Sequence, residues 1–240
     1  MSNLYANYLK RLQDTKQKIN DLKFTKEIKE NSKDKDDNFD VELFEKSIAE
    51  NKLAVDSIAD TLTSNLNSQL KQMDSDKAIK LLEWINTWEF YLDTEDSFDL
   101  TKRRTYKRGD IVHVNFGFNV HNELGGTHYA IVVEGNNAQT NGTVVVVPLK
   151  STEEDNPTNL DNTEVFLGKC IIPIGKAKNK NTIAKVGQLK SISKLRILKP
   201  TNDKQSIYPV DSDIRNDILN KLDQKIKELY MKYENTIDTK

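Results

Sequence analysis

The side chains best suited to moving protons are three histidines, His113, His121 and His128, and a carboxylate between the last two, Glu123. Imidazole titrates near neutrality and serves as general acid or base. Glu123 opens the run Glu123-Leu124-Gly125-Gly126-Thr127-His128. Its glycine pair permits a close approach of backbone to a phosphate or to a partner subunit. The histidines are spaced by eight and seven residues, which matches no metal-binding motif, so no metal site and no cofactor is expected. His113 alternates with Val112 and Val114 and reads as a solvent-facing strand residue; His121 sits in a long loop, Phe118–Thr127, where it can touch a ligand. Lys150 and Ser151, a cation and a hydroxyl ending an apolar run, can bond phosphate, and Lys176, Lys178 and Lys180 form a basic loop. Gln188 suits orienting other groups more than cleaving anything. The single cysteine, Cys170, excludes an intrachain disulfide and reads as an inert buried thiol.

The elements that carry these residues have strand grammar. Asp110–Phe116 alternates polar and apolar residues. Tyr129–Glu134, Thr143–Leu149, Glu164–Leu167, Cys170–Pro173 and Thr182–Val186 are short β-branched runs, separated by turn formers such as Gly125-Gly126 and Asn141-Gly142. Short strands at this spacing predict a small barrel or sandwich. Ile214, Ile218, Leu222, Ile226 and Leu229 then share one helical face, giving an α+β unit closed by a C-terminal helix.

The first hundred residues follow a helical period instead. Leu4, Tyr8, Leu12, Ile19 and Leu22 mark one amphipathic helix, and Asn31–Asp40 reads as a solvated loop or mobile link. A longer helix runs from Val41 to Met73. A third, capped by Asp74 or Ser75, carries Trp84 and Trp88 four residues apart, a pair expected to pack in a core. The division expected is therefore residues 1–100, an α-helical hairpin or bundle, and residues 101–240, the β-barrel domain. Charge divides in the same place: residues 1–100 hold 14 Lys+Arg against 21 Asp+Glu, and residues 101–210 hold 16 against 9. A basic unit suits a polyanion, whereas the acidic unit can act as a phosphate-mimicking brake or as a dimer arm. No apolar run reaches the roughly 18–20 residues of a membrane span, and the start lacks a basic-then-apolar signal pattern, so a cytoplasmic protein is expected.

Four blocks, in order, resemble the PemK/MazF toxin family. They are Lys107-Arg108-Gly109-Asp110 leading into Ile111–Phe116, Asn122–Val133 with its glycine pair, Thr143–Ser151 with Pro148 near its end, and Val186-Gly187-Gln188-Leu189-Lys190-Ser191-Ile192. The resemblance covers roughly the last 135 residues. It implies an SH3-like barrel, a homodimer, RNA and DNA binding, metal-independent cleavage of single-stranded RNA and a cognate antitoxin protein as partner. It also implies catalytic roles for His128, Glu123, Lys150 and Ser151, and RNA contacts from Gly125, Gly126, Gln188, Lys190 and His121. The sequence departs from the family where His128 replaces an Arg, Lys150 a Thr, and Gly187 an acidic residue. Those departures keep a second reading open, a protein of this fold that binds nucleic acid or a partner without cutting. A third takes the helical part as the main functional unit, an oligomerisation or partner-binding module.

Overall fold

The computed structural model describes residues 2–34, 37–169, 172, 180–201, 208–209 and 212–231. Cys170, Lys176 and Lys178, and the expected strand Cys170–Pro173 apart from Ile172, lie outside the described residues. The chain divides into two compact units, Met1–Ala78 and Ile79–Lys240.

In the first unit, helices α1 (Ser2–Asn20) and α2 (Thr25–Asn31) both pack on the long α3 (Val41–Gln72). Asp40 caps α3 by accepting from the Leu43 amide at 2.9 Å, which satisfies one of the amides a helix start leaves unpaired. The segment expected as a solvated loop or mobile link is largely exposed in its described residues and is stitched by local hydrogen bonds. Asp34 accepts from the Asn38 amide at 2.8 Å, and Lys33 pairs with Phe39 as an isolated bridge. The next helix, α4 (Ser75–Thr94), starts as its sequence predicts, with Asp74 accepting from the amides of Asp76 and Lys77. The division between the two units falls within this helix, so Ile79–Thr94 belongs with the barrel.

The second unit is an antiparallel sheet built from β1 (Asp110–Asn115), β2 (Thr127–Val132), β3 (Thr143–Thr152), β4 (Glu164–Lys169), β5 (Asn181–Lys185), β6 (Lys190–Ser193), β7 (Ile197–Lys199) and β8 (Tyr208–Pro209). One path through it runs β6-β3-β2-β1-β7. In a flat sheet its two outer strands would stand roughly 19 Å apart, at about 4.8 Å per strand. Yet they are joined by a single three-residue 3-10 turn, Lys194–Arg196, and such a turn advances only about 2 Å per residue. The sheet therefore rolls until its edges meet, and the result is a small barrel. The long strand β3 leaves the barrel at its far end, where Leu149–Thr152 pairs with β5, and β5 in turn carries β4.

Side-chain alternation sorts the apolar residues into two cores. Val112, Val114, Ala130, Val132, Val144 and Val146 fill the barrel with Tyr106, Phe116, Ile192 and Ile197. Their neighbours Ile111, Ile131, Val133, Val147 and Leu149 face outward into a second core, closed by Ile218 and Leu222 of helix α5 (Ser212–Tyr230). Strands buried on both faces explain why Val144–Val147 is an unbroken apolar run. Each such side chain contributes about 1.5–3 kcal/mol when fully buried. The α+β class, a barrel with a C-terminal helix preceded by helices, matches the expectation.

Lys194, inside the closing turn, is wholly buried. Its ammonium donates to the carbonyls of Ala138 at 2.8 Å and Gln139 at 3.2 Å, and stands over the Tyr106 ring. Burial holds its pKa below the usual lysine range, while Glu134 opposes that shift. Replacing Lys194 by Met keeps most of the volume and strips these carbonyls of their donor. The expected loss is about 1–3 kcal/mol, read by denaturant unfolding followed through tryptophan fluorescence. Both tryptophans, Trp84 and Trp88, lie in this unit. An unchanged midpoint would show that the turn does not depend on the lysine.

Candidate active site

Strands β1 and β2 pair with Val114 opposite His128 and Asn115 opposite Thr127. The connection between them is pinched at its base. The Phe116 amide donates to the Gly126 carbonyl at 2.8 Å and the Gly126 amide to the Gly117 carbonyl at 2.6 Å. Gly117 has φ +84° and Gly125 lies so close that a Cβ there would stand 2.7 Å from the Gly117 carbonyl oxygen. The close approach expected of the glycine pair is thus made to the loop's own backbone. Asn119 donates to the carbonyls of Phe116 and Leu124 from within. Gln188 clamps from outside, accepting from the Leu124 amide and donating to the Asn122 carbonyl, both at 3.3 Å.

This loop forms one wall of a cavity of about 810 Å³, within the size range of ligand sites. His128, Glu123, His121, Gly125 and Gly126, expected from sequence to act together, all line it. The pKa of His128 is depressed below the ordinary imidazole value of 6.5, chiefly by burial. A hydrogen bond to the Gly125 backbone opposes that shift, and the positive charge of Lys185 adds to it. Burial and the nearby cation both favour the neutral ring, the form that accepts a proton. His113, on the neighbouring strand, stacks on Tyr129 with ring centroids 4.8 Å apart. It is depressed too, by burial first, then by the charges of His128 and Lys199. A half-buried stacked ring differs from the solvent-facing residue expected at 113, because the adjacent Tyr129 covers it.

The remaining expected residues sit elsewhere. Lys150 and Ser151 are exposed on the part of β3 that pairs with β5, and neither lines the cavity. Lys190 stands over the Phe116 ring, 5.7 Å from its centroid, and Phe116 in turn approaches His128. Gly187 packs on Thr163, where any side chain would meet the threonine Cβ at 2.7 Å. The acidic residue absent from this position therefore has no room here. Among the described residues, no group of three or more His, Cys, Asp or Glu could hold a metal ion, and no helix is long and apolar enough to cross a membrane.

Two positions that bear on this site escaped the sequence reading. Lys185, ion-paired to Glu164 at 2.8 Å, is a cation acting on His128. It sits one residue before the Val186–Ile192 block, and only strand pairing reveals its proximity. Arg196 donates to the Phe116 carbonyl at 3.2 Å and stacks over the Trp84 ring at 5.1 Å. Trp84 is indeed packed, edge-on to the buried Tyr91. Trp88 departs from the core expectation and is 53% exposed.

Residues 107–229 match the family described as PemK-like, MazF-like toxin of type II toxin-antitoxin system. Among solved structures, the chain is similar to the crystal structure of MazF (Form-I) from Deinococcus radiodurans. That match has 15% identity and a TM-score of 0.36, and it covers 54% of this chain and 99% of that one. No curated protein matches.

Arg196 holds the loop and Trp84 with one planar group, a geometry lysine does not reproduce. Arg196→Lys is expected to cost about 1–2 kcal/mol. In a Trp88→Phe background it should also shift the Trp84 emission to the red and raise its quenching by acrylamide. Emission and quenching equal to the parent would remove Arg196 from the account.

Proposed function

We propose that this chain, which belongs to the PemK-like, MazF-like toxin family of type II toxin-antitoxin systems, is an endoribonuclease that cleaves single-stranded RNA without a metal ion. The observation that carries the reading is that His128 and Glu123 line one cavity, with burial holding the imidazole below its ordinary pKa. Neutral His128 takes the proton of a ribose 2′-hydroxyl. The 2′-oxygen attacks the adjacent phosphorus, and the bond to the 5′-oxygen of the next nucleotide breaks. The imidazolium so formed gives that proton to the leaving oxygen, the Glu123 carboxylate steadies the imidazolium charge meanwhile, and a 2′,3′-cyclic phosphate remains on the upstream fragment. Both proton transfers and the stabilisation of the phosphorane come from side chains. Lys185, whose charge acts on His128, and Lys190, over the neighbouring Phe116 ring, supply positive charge to it.

Gln188 positions the loop rather than reacting, since both ends of its amide are engaged by loop backbone. Lys150 and Ser151, exposed along β3, take backbone phosphates beyond the cleavage point. The same reading brings a cognate antitoxin protein and a homodimer as partners. Single-stranded RNA suits the cavity because unstacked bases offer their edges.

His128→Ala should lower cleavage by about 10²–10⁴-fold, the scale of a positioned proton-transfer group. His113→Ala should change it little, with folding of both variants checked by circular dichroism. The pH profile carries the sign. A depressed pKa means that the base form of His128 is present above a midpoint below 6.5 and is lost as pH falls through it. The cleavage rate should therefore rise with pH through that midpoint and be near its plateau at pH 7. Equal losses in the two variants, or a rate falling as pH rises from 5.5 to 7, would contradict the assignment.

A further inference from the structure

The cavity has a second wall that the family match does not reach. The match begins at residue 107, yet Lys80, Glu83, Trp84 and Thr87 of α4 line the same space as His128 and Glu123. Their spacing places them along one helical flank. The wall is fixed in place rather than merely near. The Trp84 ring edge lies against Gly117, where a Cβ would come within 2.9 Å of it. The Arg196 guanidinium covers the ring and Tyr91 packs edge-on beside it. Lys80 and Glu83 are exposed, so their charged ends are free to meet a ligand in the cavity.

We propose that α4 is a nucleotide-binding wall that sets which base this enzyme accepts beside the cleavage point. The inference rests on the endoribonuclease reading and adds a specificity element from outside the matched domain. Lys80 takes an RNA backbone phosphate. Glu83 reads the neighbouring base, because an ionised carboxylate only accepts hydrogen bonds. It therefore favours a base edge with two adjacent N–H donors, as guanine presents at N1 and N2, over uracil with its single N3–H. Trp84, held by Arg196 and Gly117, keeps both side chains at a fixed distance from His128.

The test uses the full chain and its Lys80→Gln and Glu83→Gln variants, with tryptophan emission and circular dichroism confirming the fold. Binding is measured with a randomised 2′-O-methyl RNA oligonucleotide, which has no free 2′-hydroxyl to attack. Preference is measured by sequencing the ends cut from a randomised RNA. Lys80→Gln should weaken oligonucleotide binding by about three- to tenfold at low salt. It should also flatten the dependence of log K on log salt by about one phosphate contact. Glu83→Gln should reduce a guanine preference beside the cut by about tenfold. If the parent cuts RNA while both variants keep its affinity, salt slope and base preference within about twofold, α4 is scaffold and the proposal falls. If Glu83→Gln strengthens binding and leaves the preference unchanged, α4 is a brake and the proposal falls as well. If the parent neither binds nor cuts, the endoribonuclease reading itself has failed, and the proposal with it.

Discussion

Everything in the second unit depends on closing a five-strand path with three residues. Lys194–Arg196 must join β6 to β7 across the seam of the barrel, and each of its charged side chains is committed by that position. Lys194 turns inward and holds the Ala138–Gln139 carbonyls. Arg196 reaches the Phe116 carbonyl and the Trp84 ring. One short turn therefore fixes the start of the β1–β2 connection and the docking of α4 together. The cavity between them inherits its shape from barrel closure.

The chemistry follows from the same geometry. His128 faces a loop whose backbone is tied to itself at Gly117 and Gly126 and clamped by Gln188. Burial under that loop removes water from the imidazole and lowers its affinity for a proton, and Lys185 acts in the same direction. The histidine that stands where the family resemblance implies an arginine offers a proton acceptor in place of a permanent cation.

Much of this was legible in the sequence, for identifiable reasons. Period-two alternation located β1, short β-branched runs located β2 and β3, whose two faces meet different cores, and helical spacing located α3, α4 and α5. Glu123, the glycine pair and His128 could be grouped because they are contiguous in the chain. What escaped depends on contacts between distant residues. Arg196 meets Phe116 across 80 positions, and Gln188 meets Asn122 across 66, with no local pattern to announce either. Lys150 and Ser151 looked close to the site because they end an apolar strand. That strand runs ten residues and leaves the barrel before reaching them, so they stand outside the cavity. The part played by α4 was hidden by composition, since its acidic character groups it with the residues before it.

The central claim is that side chains alone carry out an internal phosphoryl transfer. Its most direct test is the chemistry of the RNA ends formed by the full chain in excess chelator, read by mass spectrometry of a defined single-stranded oligonucleotide. The account predicts continued cleavage, with a 2′,3′-cyclic phosphate on the upstream fragment and a free 5′-hydroxyl on the downstream one. Cleavage that requires added magnesium, or that leaves a 5′-phosphate, would contradict it.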